Sequence, residues 1–302
     1  MKKLCLICII TTILLVTAEA RAGQFSDWED LIDSKILGQQ ISTIWKLNRL
    51  LLEQSKYDEI ESLANRYRNS KDIYVDGQWQ LAELYDGLSY HLKMPNEDQF
   101  QQRLTFLKNW ASAKPDSVTA RVALADCMIG YAFHGRGYGM ASTVNEEQWR
   151  TFHSRLKEAE SILLQTKSLK QKCPGWWAAY LRIASAGSYD RSKYEQLFND
   201  AIAFEPKYYT FYYYRAWDLL PQWHGDKGEL EQFAKSAADR CAGDEGDMLY
   251  AGIILYMDTR GPCENKKNKN PNISWDRVTR GINLLKAKSI KWTPQDNPGP
   301  RS

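Results

Sequence analysis

Apolar residues recur at helical spacing along nearly the whole chain, and no segment alternates apolar and polar positions between turns, so the pattern predicts an all-α protein. The clearest stripe is Trp149, Phe152, Leu156, Ala159 and Leu163, which lie on one face of a long helix and are expected to face its neighbours. Capping-box pairs mark helix starts: Ser26 with Glu29, Asn96 with Gln99 after Pro95, Thr143 with Glu146, and Ser192 with Glu195. Prolines mark ends, with Pro115 after Ala113-Lys114 and Pro206 after Ala201-Ile202-Ala203-Phe204-Glu205. Short polar turns between these signals predict antiparallel helix pairs.

Two of the pairs lie on the roughly 34-residue tetratricopeptide pattern. With Pro206 at its closing proline, Leu181, Phe198 and Ala201 occupy its apolar and small positions, while Arg182 and Tyr194 stand where Gly or Ala is usual and are expected to splay the pair. Earlier, Gln54 to Glu59 resembles the turn inside such a repeat, with Ile60 in place of Ala. The resemblance implies a right-handed superhelix, an α-solenoid, whose first helices line a concave surface. A longer match runs from Arg136-Gly137-Tyr138-Gly139-Met140-Ala141-Ser142-Thr143-Val144 into Trp149 and Phe152. It continues through Trp176-Trp177, Tyr189-Asp190-Arg191, Phe198, Ala201 and Pro206 to Leu220-Pro221-Gln222-Trp223-His224-Gly225. These residues resemble a bacterial family known as domain of unknown function number four-zero-three-four, most clearly from Arg136 to Gly225. That resemblance implies a helical-repeat fold and no established catalytic residues.

The chain opens on Lys2 and Lys3, an apolar run from Leu4 to Val16, and the small-x-small site Ala18-Glu19-Ala20. This predicts an export signal over residues 1–20, since the run falls short of the about 20 apolar residues a bilayer span needs. The expected location is therefore periplasmic or secreted. Residues 21–302 carry no Gly/Ser/Pro linker and read as one continuous helical array, with a polar loop over 259–273 and a disordered tail over 293–302. Four of the six cysteines lie beyond the signal, and in an oxidising compartment they allow two disulfides. Cys241 with Cys263 is the preferred bridge; Cys127 is expected either to pair with Cys173 or to stay a buried thiol. A formal net charge of +3 is too balanced to argue for nucleic acid, and the basic run Lys266, Lys267 and Lys269 reads as a solvated part of the polar loop.

Two segments stand out as candidate binding surfaces. His134-Gly135-Arg136-Gly137-Tyr138-Gly139 is the one glycine-rich stretch, and Arg136 could offer an anion its fork of donors, although the stretch lacks the Gly-Lys-Ser/Thr of a phosphate loop and reads first as a structural connection. Tyr208 to Tyr214, with Trp217, is aromatic on all sides, so it is either core or part of a groove. In the groove reading Tyr209, Tyr212, Tyr213 and Trp217 join Trp176, Tyr180, Arg136 and Tyr138. Ser154-Arg155-Leu156-Lys157 matches a Ser-x-x-Lys pair but has no companion Lys-Thr-Gly, and the four histidines show no metal-ligand spacing. No cofactor, metal or catalytic constellation is expected. The sequence thus suggests an exported repeat protein that binds a protein or peptide in a concave groove, with neutralisation of an envelope-acting toxin as one special case. The alternative is a binder or hydrolase of cell-wall glycan or peptide.

Overall fold

The computed structural model describes residues 34–89, 96–137, 139–187, 189–241, 243–260 and 270–290, and within them the chain is helical with no β-strand. The helices are α1 (Ser34–Glu53), α2 (Tyr57–Ser70), α3 (Gln80–Ser89), α4 (Glu97–Ala113), α5 (Val118–Arg136) and α6 (Glu146–Leu164). They continue with α7 (Pro174–Ala186), α8 (Arg191–Phe204), α9 (Thr210–Asp218), α10 (Glu229–Arg240), α11 (Asp244–Arg260) and α12 (Trp275–Lys288). The export signal over 1–20, the Ser26–Glu29 pair, residues 261–269 of the polar loop and the tail over 293–302 lie outside the described residues.

Contacts gather the chain into two compact units. One comprises Ile44–Asp72 and Gln78–Asp218; the other joins Ile73–Gly77 to Leu219–Pro298 and to the chain up to Thr43. No linker composition marks these boundaries, one of which falls within α1, and that is why the sequence reads as a single array.

In the unit that holds α2 to α9, α5 is central and packs on α3, α4, α6 and α7. Its sequence is suited to this, because Ala120, Val122, Ala123, Ala125, Ile129 and Ala132 are apolar around the full circumference and all are buried. The Ser117 hydroxyl caps the helix by accepting the Ala120 N–H at 2.9 Å. α7 then packs on α5 and α9, with α6 and α8 against it. Gly175 lets α7 approach α3, since a Cβ there would stand 2.3 Å from the Tyr85 ring. The predicted stripe on α6 is buried at Phe152, Leu156, Ala159 and Leu163, with Trp149 half-buried at its start.

Two predicted helix starts are corrected. Thr143 belongs to a 3-10 turn, and α6 is capped instead by Asn145, whose side chain accepts the Gln148 N–H while the Gln148 side chain accepts the Asn145 N–H. Asn caps at least as well as Thr and here completes the reciprocal box. Ser192 is already inside α8, which begins at Arg191 with no side-chain cap. Asn96 does cap α4, accepting the Gln99 N–H at 3.1 Å. The turn read at Gln54 separates α1 from α2, with Ser55 at φ 55° and the Lys56 N–H donating to the Leu51 carbonyl at 2.8 Å.

The other unit is built on α10, α11 and α12, with α11 packed on both neighbours. α12 lies close to α11 at Gly281, whose missing Cβ would collide with the Asp247 carbonyl. Arg277 donates to Asp247 at 2.7 Å and to Asp239 at 2.6 Å, and Arg280 donates to Asp247 at 2.9 Å. Burial works to raise the Asp247 carboxyl, but the two arginines outweigh it and hold it below its ordinary range. The Ile290 N–H donates to the Ile73 carbonyl at 3.1 Å, which ties the segment Ile73–Gly77 into this unit.

Candidate functional site

The most unusual chemistry lies where α5, α7 and α9 bring charges into otherwise apolar surroundings. Asp126 on α5 is 7% exposed and accepts from Arg182 of α7 at 2.7 Å. The Arg182 guanidinium lies 5.8 Å from the Tyr214 ring centroid on α9. Burial pushes the Asp126 carboxyl up, Arg182 opposes it and the Asp86 carboxylate of α3 adds to it, with a net rise to about 6. A second cluster follows. Arg215 of α9, 4% exposed, donates to Asp218 at 2.7 Å and also meets Glu195 of α8, while Ser185 of α7 donates to Asp218 at 2.7 Å. Buried ion pairs of this kind add little net stability compared with apolar side chains of the same volume.

This row was largely missed in the sequence. The available signal was an Asp inside Leu124-Ala125-Asp126-Cys127-Met128 and an Arg and Asp at i and i+3 within the aromatic helix. Arg182 and Tyr194, read as intrusions at small repeat positions, are both accommodated: Arg182 by Asp126, and Tyr194 under the Arg215 guanidinium at 5.1 Å.

The aromatic candidates divide by exposure. Trp176, Tyr209, Tyr212 and Tyr213 are buried, and the Trp176 indole donates to the Leu163 carbonyl at 3.0 Å. Tyr212 packs edge-on against Phe198 at 5.6 Å. Tyr180 and Trp217 stay half-buried, and the Tyr180 hydroxyl donates to Glu160 at 3.3 Å, a carboxylate that also accepts from Tyr189. Most of the aromatic surface is therefore spent on helix packing, and Tyr180 and Trp217 are the members that retain accessible faces.

Arg136 closes α5 and lies apart from this row in the same unit. Its Nη1 donates to the carbonyls of Gly137 and Gly139 at 3.1 Å each, and its guanidinium carbon lies 5.0 Å from the Trp149 ring centroid. Gly137 has φ +81°, a turn that a residue with a side chain adopts only under strain. Tyr138 lies outside the described residues.

The cysteines decide between the two alternatives left open for Cys127. Cys127 and Cys173 are both buried free thiols, so the bridge between them is not formed. Cys127 sits within α5, where burial pushes its thiol up, and Cys173 precedes α7 with its sulfur 3.0 Å from the Tyr85 hydroxyl and 3.6 Å from Arg68 Nη1. Each sulfur is thus held by its own surroundings. Cys241 is half-buried at the end of α10, and Cys263 lies outside the described residues. Ser154 and Lys157 are exposed on α6.

Among the described residues no group of three or more His, Cys, Asp or Glu side chains is placed to hold a metal ion, and no helix is long and apolar enough to cross a membrane. Comparison with protein-family models, with curated proteins and with solved structures finds no match to this chain.

Proposed function

We propose that this is an exported helical-repeat protein of the tetratricopeptide-like, right-handed superhelical kind, belonging with the four-zero-three-four family. In this reading it binds a protein or peptide segment without catalysis, on the surface carried by α3, α5, α7 and α9. The observation that carries the proposal is the row Asp86, Asp126, Arg182, Ser185, Asp218 and Arg215 on helices whose side chains are mostly buried. Stability alone favours apolar side chains at such positions, and fixed charges are a means by which an interface sets register and rejects wrong partners. Asp86, Arg182 and Ser185 are the half-buried members of the row, and the half-buried Tyr214 ring flanks Arg182. The test is affinity capture of the mature chain from its own envelope extract, comparing the native protein with Arg182→Ala and Tyr214→Ala. One saturable partner lost in both variants while both stay folded by circular dichroism supports the reading; capture that is identical in all three refutes the surface assignment.

A second reading has its own support in the buried Asp126 carboxyl, which burial and the Asp86 charge raise to about 6 against the pull of Arg182. It makes the protein a binder or hydrolase of cell-wall glycan or peptide. Turnover of cell-wall fragments that is lost in Asp126→Asn decides for it, and absence of turnover with a retained protein partner decides against it.

A further inference from the structure

Three arginines in the unit that holds α2 to α9 are more than nine-tenths buried: Arg103, Arg136 and Arg215. Arg103 pairs with Glu53 at 3.5 Å, and Arg215 pairs with Asp218 and Glu195. Arg136, 8% exposed, meets no carboxylate within ion-pair distance among the described residues. A buried cation normally requires such a partner, because desolvation costs several kcal/mol per ion. What Arg136 has instead is partial compensation. The C-terminal end of α5 and the Gly137 and Gly139 carbonyls supply fractional negative charge, and the Trp149 face lies beneath the guanidinium.

These contacts use only one edge of the group. Both loop carbonyls are bonded by Nη1, and Nε and Nη2, which together form the side-on fork, meet no acceptor among the described residues. Trp149 is itself packed against His153, stacked at 5.6 Å, and Phe152, edge-on at 5.8 Å, which restrains the ring that the guanidinium carbon overlies. The neighbouring cation does not add to the charge of this site. Arg155 lies 3.3 Å over the Tyr131 ring, donates to the Tyr131 carbonyl at 2.9 Å and pairs with Glu97 at 3.4 Å. A single fork with one unit of positive charge matches a monoanionic, planar, two-oxygen acceptor better than a phosphate, which carries close to two charges.

We propose that Arg136 is the receptor for a carboxylate of the partner, either a peptide C-terminus or an Asp or Glu side chain. This rests on the peptide-binding reading above and names the chemistry of one contact. The fork accounts for the ligand geometry, and the Trp149 ring lies against the guanidinium carbon. Gly137 contributes its carbonyl and the turn that brings the Gly139 carbonyl back to the same nitrogen.

The experiment is an NMR titration of the full mature chain, following the Arg136 Nε–Hε resonance, identified by its loss in Arg136→Gln. The probes are sodium acetate, an N-acetylated dialanine with a free C-terminus, its C-terminal amide, an N-acetylated aspartate amide, inorganic phosphate, and sodium chloride at matched ionic strength. Saturable shifts of this resonance by acetate, absent with chloride, are expected. Arg136→Lys, which keeps the charge and loses the fork, should weaken acetate roughly tenfold or more without lowering the melting temperature. Tighter binding of the free-terminus dipeptide than of the aspartate amide assigns a chain terminus; the reverse order assigns an acidic side chain. No saturable shift, a shift shared by chloride, or tighter binding of phosphate than of acetate overturns the proposal. Failure of the broader reading looks different: acetate then binds Arg136 while neither peptide binds more tightly than acetate does. Peptides that bind the native chain and Arg136→Gln equally sustain the broader reading and overturn the role of Arg136.

Discussion

Asp126→Asn separates two forces that act on the same carboxyl. Asparagine is close in shape to the protonated acid, so the variant stands in for Asp126 that never ionises. In the folded chain the carboxyl ionises near pH 6 against an ordinary value of 3.8. Between those values the folded state binds the additional proton, and stability therefore falls as pH rises through that window. At 1.36 kcal/mol per pH unit, full ionisation costs the folded native chain about 3 kcal/mol. The difference in unfolding free energy, variant minus native, should thus grow by about 3 kcal/mol in favour of the variant between pH 3.5 and pH 7.5, most of it between the two titration points. Urea unfolding of both proteins at half-unit pH steps measures it, because titrating groups that do not interact with Asp126 cancel in the difference. A flat difference, or one that turns against the variant as pH rises, would show that Arg182 outweighs burial and that the carboxyl is held down, not pushed up.

Three further outcomes are expected. Arg215→Met leaves Asp218 without its main cation and should cost about 3–5 kcal/mol, most of it regained in the double variant with Asp218→Leu; equal losses in single and double variants on chemical denaturation would refute the pairing argument. Ala201→Trp places a large ring at a fully buried Ala and should cost about 1–3 kcal/mol, seen as a lower midpoint in thermal melting; an unchanged midpoint would contradict the packing described. Cys127 and Cys173 should resist iodoacetamide at pH 8 in the folded chain and react fully in denaturant, read by peptide mapping; rapid labelling of Cys127 in the native chain would contradict its burial.

Periodicity was sufficient for the helices because each amphipathic stripe reports the face that its neighbours cover, as Phe152, Leu156, Ala159 and Leu163 do on α6. The glycine loop was half legible. Its glycines marked an irregular connection, yet the stacking of Arg136 on Trp149 depends on α6 returning past the end of α5, a tertiary fact with no local signature. The aromatic helix misled in part, since a fully buried helix and a binding face carry the same composition, and burial of Tyr209, Tyr212 and Tyr213 assigns them to packing. The ionic row was hidden for a different reason. Asp126 and Arg182 lie on separate helices, and sequence spacing says nothing about a pair that only the stacking of α5 on α7 creates. The cap at Asn145 was passed over because Thr143 with Glu146 fits the box at the letter level, although the chain is still in its 3-10 turn there.

The placement of α5 against four other helices bears on how the gene can change. In a stack of helix pairs a terminal pair leans on one neighbour only and is the easiest to lose. A helix enclosed on four sides binds its surroundings into one indivisible block. Deleting either α3 or α6 would uncover part of α5 to water. Length variation among descendants of this sequence should therefore collect outside α3 to α7, in the connections and at the ends of the chain.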